Sequence, residues 1–388
     1  MRTTFVTPFT SETARDLQRK AAPTPLPEPV TRPVKSDMLI AGFDFGTNTS
    51  CIKASYAGST ELVVNETIPS VVGYASEGIV ENLLPGNVRV LYGQAALKNK
   101  LYLRLVSPLT DGVVEDMAAA QDFARYIRTI INPPQGAEVR AVVGIPANAD
   151  RQARENLCAA LVGLFDRIIL IPEPFLAALG YRDEGRLSDP SYIDPVRNSL
   201  IVDIGAGTSD LCLVQGYFPT AEDQVSIPFA GDKVDASLAE SLRKAYPDVT
   251  LSQIKIREIK EQNSYVGKVE APISVNLVVG GKMRKLEAGE AVGKACETLL
   301  QRIAEAVKSV IARASTDSVG ELLQNILLTG GGSRIRHIDT ELQRLLVEDG
   351  FEKPRVQIVG ENYKEFVCKG ALVAARQAKE HQWQKLAQ

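Results

Sequence analysis

The chain has 388 residues with 44 Lys and Arg against 47 Asp and Glu, so its formal net charge is −3. Hydrophobic residues make up 45% and charged residues 23%, as is typical of a globular protein of two or three domains. This balance lacks the basic surplus of a nucleic-acid binder, and five scattered Cys with two His disfavour a zinc module. No apolar run approaches the roughly 20 residues that span a bilayer, and the charged N-terminus predicts no secretion signal. We therefore expect a cytoplasmic protein with no nucleic-acid partner and no membrane span.

Residues 1–37 are predicted to be a Pro-rich tail. Five Pro lie between Ala21 and Lys35, a spacing that favours extended chain. One or two helical turns within Met1–Lys20 would be too short to be stable alone. We interpret the segment as a disordered tail. The alternative is a docking peptide, anchored by Phe5 and Phe9, for an adaptor, an organelle-surface protein or a neighbouring subunit.

The first ordered element is predicted to be a β-hairpin. Met38–Phe43 and Ser50–Tyr56 are strand-like, and the turn between them runs from Asp44 to Thr49 with Gly, Thr and Asn at its tip. The next predicted elements are a strand Glu138–Ile145, a helix from about Asp150 to Phe165 with Ala159, Leu161 and Leu164 at its apolar positions, a strand Arg167–Ile171 and a helix opening at Pro174.

The same hairpin pattern then repeats. Ser199–Val202 is apolar, a Gly-rich turn runs from Asp203 to Asp210, and Leu211–Gln215 is the return strand. Each hairpin has an apolar strand that ends on Asp, then an apolar residue, then Gly. The two Asp residues lie 203 − 44 = 159 positions apart, which indicates an internal duplication and two α/β halves.

A third Gly-rich turn, Gly330–Ile335, follows a strand-like run Asn325–Thr329. The remaining predictions are a mostly helical segment near Val234–Ser264, a β-rich patch at Ile273–Lys285, a long helix at about Ala288–Ala314, and a last helix at about Lys364–Leu386.

The three turns predict a site for a nucleotide's phosphates. Backbone N–H groups in Gly-containing turns can approach phosphate closely, because no Cβ intervenes. Mg²⁺ prefers oxygen ligands and is satisfied by one or two carboxylates, and Asp44 and Asp203 occupy equivalent positions on the two hairpins. The chain has no GxxxxGK[ST] motif, and the turn at Gly205 leads into a strand, so neither a P-loop nor a Rossmann site is expected.

These motifs resemble the nucleotide-binding signature of the actin, Hsp70 and sugar-kinase superfamily. Leu39–Ala54 resembles its first phosphate motif, Ser199–Val214 its second, and Asn325–Ile335 its adenosine motif. Pro108–Val113 is similar to a Pro-Leu-x-Asp-Gly-Val stretch of MreB-type bacterial actins. The segment around Lys260–Gly267 resembles the magnetosome actin MamK more closely than MreB. The chain is identified, from about residue 38 to 375, as a bacterial actin-like protein of the MreB/MamK type.

The resemblance implies an α/β fold of the actin-like, ribonuclease-H-like duplicated class, which is a two-lobed, four-subdomain ATPase with ATP or ADP and Mg²⁺ in its central cleft. The implied domains are the disordered tail 1–37, domain I at 38–198 with a small inserted subdomain at about 69–111, and domain II at 199–388 with a small inserted subdomain at about 231–299 and a C-terminal helix at about 364–386.

The resemblance also implies roles for individual residues. Asp44 and Asp203 match the metal-associated positions, Glu173 matches the residue that positions the attacking water, and Thr208 would help to orient that water. Glu173 could instead be only a helix N-terminal acid, stabilised by the helix dipole. The implied nucleotide contacts are Gly46, Thr47, Asn48, Gly205, Ala206, Gly207, Thr208, Gly231, Asp232, Lys260, Ser264, Gly330, Gly331, Gly332 and Ser333. Relatives often carry Glu three positions before this Lys, where this chain has Arg257, so the ribose contact and the choice between ATP and GTP stay open.

The implied function is ATP hydrolysis coupled to polymerisation into cytoskeletal filaments, which would position organelles such as magnetosomes or other cargo. Its main partner would then be itself, and Ile273–Lys285 is either an intersubunit region or a solvated edge hairpin. The alternative is a non-polymerising Hsp70-like chaperone or reactivating ATPase on the same fold. A small-molecule kinase is a third class, for which the chain shows no motif.

Overall fold

The computed structural model describes residues 38–386 except 148, 218, 269–271, 280, 361 and 362. The predictions made for residues 1–37 lie outside the described residues. The strands are β1 (Met38–Phe45), β2 (Thr49–Tyr56), β3 (Val64–Pro69), β4 (Val72–Ala75), β5 (Val90–Tyr92), β6 (Leu103–Val106), β7 (Leu109–Thr110), β8 (Val113–Val114), β9 (Glu138–Ile145), β10 (Arg167–Pro172), β11 (Ser199–Ile204), β12 (Ser209–Val214), β13 (Gln224–Ile227), β14 (Ser274–Val279), β15 (Lys282–Glu287), β16 (Ile326–Thr329), β17 (Val356–Ile358) and β18 (Gln384–Lys385). The α-helices are α1 (Gly93–Lys98), α2 (Met117–Ile131), α3 (Arg151–Leu161), α4 (Glu173–Tyr181), α5 (Gly231–Ala245), α6 (Gln253–Asn263), α7 (Gly289–Ile311), α8 (Val319–Leu323), α9 (Ile338–Glu348) and α10 (Tyr363–Gln377).

Two mixed sheets form the framework, and each is built around one of the predicted hairpins. The first sheet has the order β18-β10-β9-β1-β2-β3, and the second has the order β13-β12-β11-β16-β17. Both hairpins have the same register, since Asp44 pairs with Cys51 in the first and Asp203 pairs with Asp210 in the second. In each sheet the first hairpin strand also pairs in parallel with a strand from later in the chain. The predicted duplication is therefore confirmed at the level of strand pairing.

Helices α4 and α10 pack in one core with residues of both sheets. The cluster joins side chains of the first sheet, such as Ile40 and Val142, with side chains of the second sheet, such as Ile201 and Leu327. The outer face of the first sheet is covered by α2 and α3, and that of the second by α5, α7 and α9. The result is a layered α/β arrangement whose two sheets share a central helical layer.

The two central helices touch backbone to backbone through glycine. A Cβ on Gly370 of α10 would overlap the backbone oxygen of Leu176, and a Cβ on Gly180 of α4 would overlap the backbone oxygen of Phe366. A Cβ on Gly42 of β1 would likewise overlap the backbone oxygen of Cys368. No side chain larger than hydrogen fits at these crossings, so α10 lies directly on both α4 and the first sheet.

Two predicted helices end earlier than expected. The C-terminal helix ends at Gln377 rather than at about Leu386, and the chain then forms β18, which pairs with β10 at the edge of the first sheet. This pairing gives the open side of β10 backbone partners, which a longer helix could not do. Helix α3 ends at Leu161, just before Gly163 adopts a φ of 82°.

The predicted apolar face of α3 is wrong at one position. Ala159 is exposed, whereas Leu157, Ala160 and Leu161 are buried. Leu164 is buried as expected, although it lies beyond the end of the helix.

The predicted domain boundary between residues 198 and 199 stays a prediction. The described residues, from Met38 onward, form one compact unit. The C-terminal segment, which that boundary assigns to domain II, packs on the first sheet through α10 and β18. Small separate sheets, β5-β4-β6 and β14-β15, lie within the two predicted insertions. Among the described residues, none of the helices combines the length and the apolar character needed to cross a bilayer.

The contact between α4 and α10 gives a stability prediction. Gly370→Ala should lower the free energy of unfolding by about 1–3 kcal/mol or more, because the added methyl overlaps the Leu176 carbonyl. Gly320→Ala is the matched control: it is also a helical Gly, but nothing lies within 4 Å of the added Cβ. The control should be neutral or stabilising by about 0.5–1 kcal/mol. Urea unfolding of the two variants measures the difference, and equal stabilities would contradict this account of the crossing.

Candidate functional site

A cleft of about 390 Å³ lies where the hairpin turns of the two sheets face each other. It brings together the residues that the sequence predicted for a nucleotide site, with one exception. The predicted residues that line it are Asp44, Gly46, Thr47, Asn48, Glu173, Asp203, Gly205, Ala206, Gly207, Thr208, Gly231, Asp232, Lys260, Ser264, Gly330, Gly331 and Gly332. The first and last of these lie 332 − 44 = 288 positions apart in the chain, yet they share one surface.

Ser333 is the exception. It is fully buried, and its hydroxyl donates to the backbone oxygen of Gly330 at 2.7 Å. It is not among the residues that line the cleft. The structure therefore places Ser333 beneath the third turn, where its hydroxyl helps to fix the shape of the turn, and its nucleotide contact stays a prediction.

The first turn is fixed by neighbours within its own half of the molecule. The backbone oxygen of Gly46 accepts a hydrogen bond from the Ser70 hydroxyl at 2.6 Å, and Oγ1 of Thr47 accepts one from the backbone N–H of Gly112 at 3.0 Å. A Cβ on Gly46 would lie 2.5 Å from the backbone oxygen of Thr49, so the tight turn needs glycine there. The turn is thus held in one shape before any ligand binds.

The second turn supports the N-terminus of α5. The backbone N–H groups of Gly231 and Asp232 donate to the backbone oxygens of Gly205 and Ala206 at 3.2 and 2.7 Å. A Cβ on Gly207 would lie 2.5 Å from Cα of Asp111 in the other half, so the two halves approach closely here. The positive end of the α5 dipole is thereby brought to the cleft, where it favours an anionic group.

The third turn crosses directly over the end of β11. Gly330 has a φ of 78°, and a Cβ there would overlap the carboxylate of Asp203. A Cβ on Gly332 would overlap the side chain of Ile204. This close approach explains the run of glycine, because the turn must pass next to an acidic side chain of the site.

A cluster of acids lies at the ends of the hairpin strands. Burial first, and the charge of Cys51 second, raise the pKa of Asp44 to about 8. Burial, followed by the charges of Asp210 and Asp44, raises the pKa of Asp203 to about 8. Burial, followed by repulsion from Asp44, Asp210 and Asp203, raises the pKa of Glu173 well above its ordinary range. The acids are thus close enough to oppose one another's ionisation.

The donor set of this cluster fits Mg²⁺. Its potential ligands are carboxylate oxygens, and their mutual repulsion would be relieved by a divalent cation. Within the described residues no group of three or more His, Cys, Asp or Glu side chains forms a metal-binding cluster. Mg²⁺ needs no such cluster, because it is usually held by one or two carboxylates together with phosphates and water. Asp44 and Asp203 would supply the carboxylates.

Sequence reasoning missed several residues of the site. Asp210 is buried and accepts a hydrogen bond from the Thr208 hydroxyl at 2.7 Å, and burial raises its pKa. The duplication could have pointed to it, because it lies 210 − 51 = 159 positions after Cys51, the same separation as the two predicted Asp residues. Other lining residues that were not predicted as contacts include Gly112, Arg257, Glu261 and Arg334. Gly112, Glu261 and Arg334 lie within segments that the resemblance singled out, and Arg257 lies at the position that departs from relatives, but none of the four was assigned a contact.

On the α6 side of the cleft, Lys260 is held by fixed partners. Its Nζ lies 2.9 Å from Oδ1 of Asp235 and donates to the backbone oxygen of Gly231 at 3.0 Å. Asp235 is almost completely buried. Ser264 ends α6 and lines the cleft with it. This side therefore presents a fixed cation and a hydroxyl to whatever occupies the cleft.

The comparisons with known proteins agree with this fold. A family model described as MreB/Mbl protein matches residues 38–382. The actin-like protein MamK of Paramagnetospirillum magneticum is 30% identical over 353 residues, which are 90% of this chain and 95% of that protein. Among solved structures, a MamK double helical filament has a TM-score of 0.79 at 28% identity and covers 88% of this chain and 100% of its own.

A second solved structure is a non-polymerising mutant of MamK bound to AMPPNP. It has a TM-score of 0.61 at 29% identity and covers 88% of this chain and 99% of its own. The matched region begins at Met38, where β1 starts, and includes both hairpins and all three turns. The chain therefore belongs to the MreB/Mbl family and has the actin-like fold of MamK and MreB.

Proposed function

We propose that the chain binds ATP with Mg²⁺ in the cleft, hydrolyses it, and polymerises into a cytoskeletal filament that positions cargo such as magnetosomes. The observation that carries the proposal is the convergence of two equivalent Asp-ended hairpins and Glu173 on a single cleft. The filament and the bound AMPPNP of the MamK structures support it by homology.

The three turns supply the binding of the nucleotide. Backbone N–H groups near Gly46 and Gly205 would surround the phosphates from opposite sides, and the α5 N-terminus adds a favourable dipole. Lys260 and Ser264 would contact the nucleoside end. Mg²⁺ held at Asp44 and Asp203 would supply charge neutralisation next to the phosphates.

Glu173 would hold the attacking water. It is the first residue of α4 and lies beside the acids of both hairpins, so a water bonded to its carboxylate sits between the halves. When it is ionised, its carboxylate can accept the proton of that water. Thr208 donates to Asp210, and the Thr208 oxygen can then accept a hydrogen bond from the same water.

Polymerisation is tested with purified protein by pelleting and electron microscopy, without nucleotide and with ATP and Mg²⁺. We expect filaments that sediment after addition of ATP. If the protein hydrolyses ATP but forms no polymer under any condition, the result would favour the chaperone-like alternative instead.

The role of Glu173 is tested by Glu173→Gln. Gln keeps the shape of the side chain, whose Cγ packs against Gly144, but it cannot accept a proton from water. We expect phosphate release to slow by about 100-fold or more while nucleotide binding is retained. Filaments formed with ATP should consequently persist longer. Glu352→Gln, on an exposed loop, is the control. Unchanged phosphate release in Glu173→Gln would rule out this role.

The raised pKa values predict how stability depends on pH. Without nucleotide, folded Asp44 and Asp203 keep their protons up to about pH 8, whereas in the unfolded chain they lose them near pH 4. The folded state therefore holds more protons between these values, and its stability falls as pH rises through this window. Asp203→Asn should reduce the fall and raise the thermal midpoint at about pH 8, while it weakens binding of Mg²⁺-nucleotide.

Thermal unfolding in EDTA at about pH 6, 7 and 8 measures this effect. Asp317→Asn, at an exposed position, is the control and should leave the pH dependence unchanged. If Asp203→Asn has the same pH dependence as the wild type, the acid cluster is not the source of the effect.

A further inference from the structure

Arg257 connects the two sides of the cleft. It lies on α6, and its Nη1 donates a hydrogen bond of 2.6 Å to Oδ1 of Asn48. Asn48 belongs to the first turn, which comes from the other half of the molecule. The side chains of these residues meet although 209 positions separate them in the chain.

Two carboxylates hold the Arg257 guanidinium in place. Nη2 lies 3.0 Å from Oδ1 of Asp232, and Nε lies 3.3 Å from Oδ2 of Asp235. The Asp235 side chain is only 3% exposed. A planar guanidinium that is bonded on two edges keeps a fixed orientation, and this orientation points Nη1 at Asn48.

The identity of residue 257 matters for this arrangement. An acidic residue at this position would meet Asp232 and Asp235 as like charges and could not donate to the oxygen of Asn48. A lysine has a single charged nitrogen on a flexible stem and cannot contact all three oxygens in the same fixed geometry. The arrangement therefore depends on the forked shape of arginine.

The hydrogen bond from Arg257 connects the first turn to α6, whereas the other hydrogen bonds described for the turn stay within its own half of the molecule. Gly46 and Thr47 are bonded to Ser70 and Gly112, which belong to the same half of the molecule as the turn. Among the bonds described for this turn, that from Arg257 to Asn48 links it to α6 on the opposite side of the cleft. A nucleotide bound between these elements would lie next to both sides that this hydrogen bond joins.

We propose that Arg257 is a positioning residue that holds the first phosphate turn against α6 through Asn48 and thereby slows nucleotide release. The inference rests on the nucleotide binding proposed above. Arg257 acts through Asn48 in this account, so a change at either residue should have the same consequence for release.

The main test is the dissociation rate of a fluorescent N-methylanthraniloyl ADP with Mg²⁺, measured by stopped flow for Arg257→Met, Asn48→Ala and the double variant. Loss of one hydrogen bond to a charged group should speed release about tenfold. The double variant should be no faster than the quicker single variant, because both changes break the same contact. Arg257→Lys should fail to restore slow release, and Arg243→Met, an exposed arginine on α5, should release ADP like the wild type.

A second measurement separates this inference from the proposed function. Urea unfolding of the wild type, Arg257→Met, Asn48→Ala and the double variant without nucleotide should show non-additive losses of stability, because the contact is present in the nucleotide-free fold. If the wild type binds no nucleotide, the proposed function is overturned, and the unfolding cycle still decides whether the contact exists. If the wild type binds nucleotide but the two variants have additive effects on release, the role of Arg257 is overturned alone.

Discussion

The burial of four acidic side chains at one place is the constraint on which the rest of the structure depends. Asp44, Glu173, Asp203 and Asp210 meet at the ends of strands from two different sheets, where burial and like charge oppose their ionisation. Such a cluster persists only where the surrounding packing is rigid enough to resist it. Here the rigidity comes from the central layer, in which α4 and α10 cross without intervening side chains and Glu173 is itself the first residue of α4. The packing of α4 against α10 therefore also fixes the position of Glu173 in the acidic cluster.

The two duplicated hairpins have the same backbone register but differ in charge at one equivalent position. Their registers are identical, yet Cys51 occupies in the first hairpin the place that Asp210 has in the second. Asp210 bonds Thr208 at 2.7 Å, so the second hairpin carries a polar pair next to the cleft. The first hairpin instead places a buried thiol there. We infer that the second hairpin contributes more to water positioning, while the first contributes mainly phosphate binding through its turn and Asp44.

Local patterns allowed much of the fold to be predicted, because a hairpin is specified within a few residues. Both ends of the strand Glu138–Ile145 were predicted correctly. Both hairpins were predicted from an apolar strand that ends on Asp and is followed by an apolar residue and Gly. The burial of Ser333 was missed, since a Gly-rich turn gives no sign of which side chain faces inward. The end of α10 was also missed, because β18 forms only where β10 offers an open edge. Contacts between distant segments leave no local pattern to read.

The distribution of charge in the cleft also suggests how a nucleotide would lie in it. The acids gather at the strand ends, whereas Lys260 and Arg257 lie together on α6 and share the buried carboxylate of Asp235. A nucleotide with a bound divalent cation would place the metal near the acids, and its ribose and base would then extend along α6. In that orientation the terminal phosphate lies between the two hairpins and next to Glu173. Loss of that phosphate would remove contacts that connect the two halves. The hydrogen bond from Arg257 to Asn48 would then still hold the two sides of the cleft together at its nucleoside end.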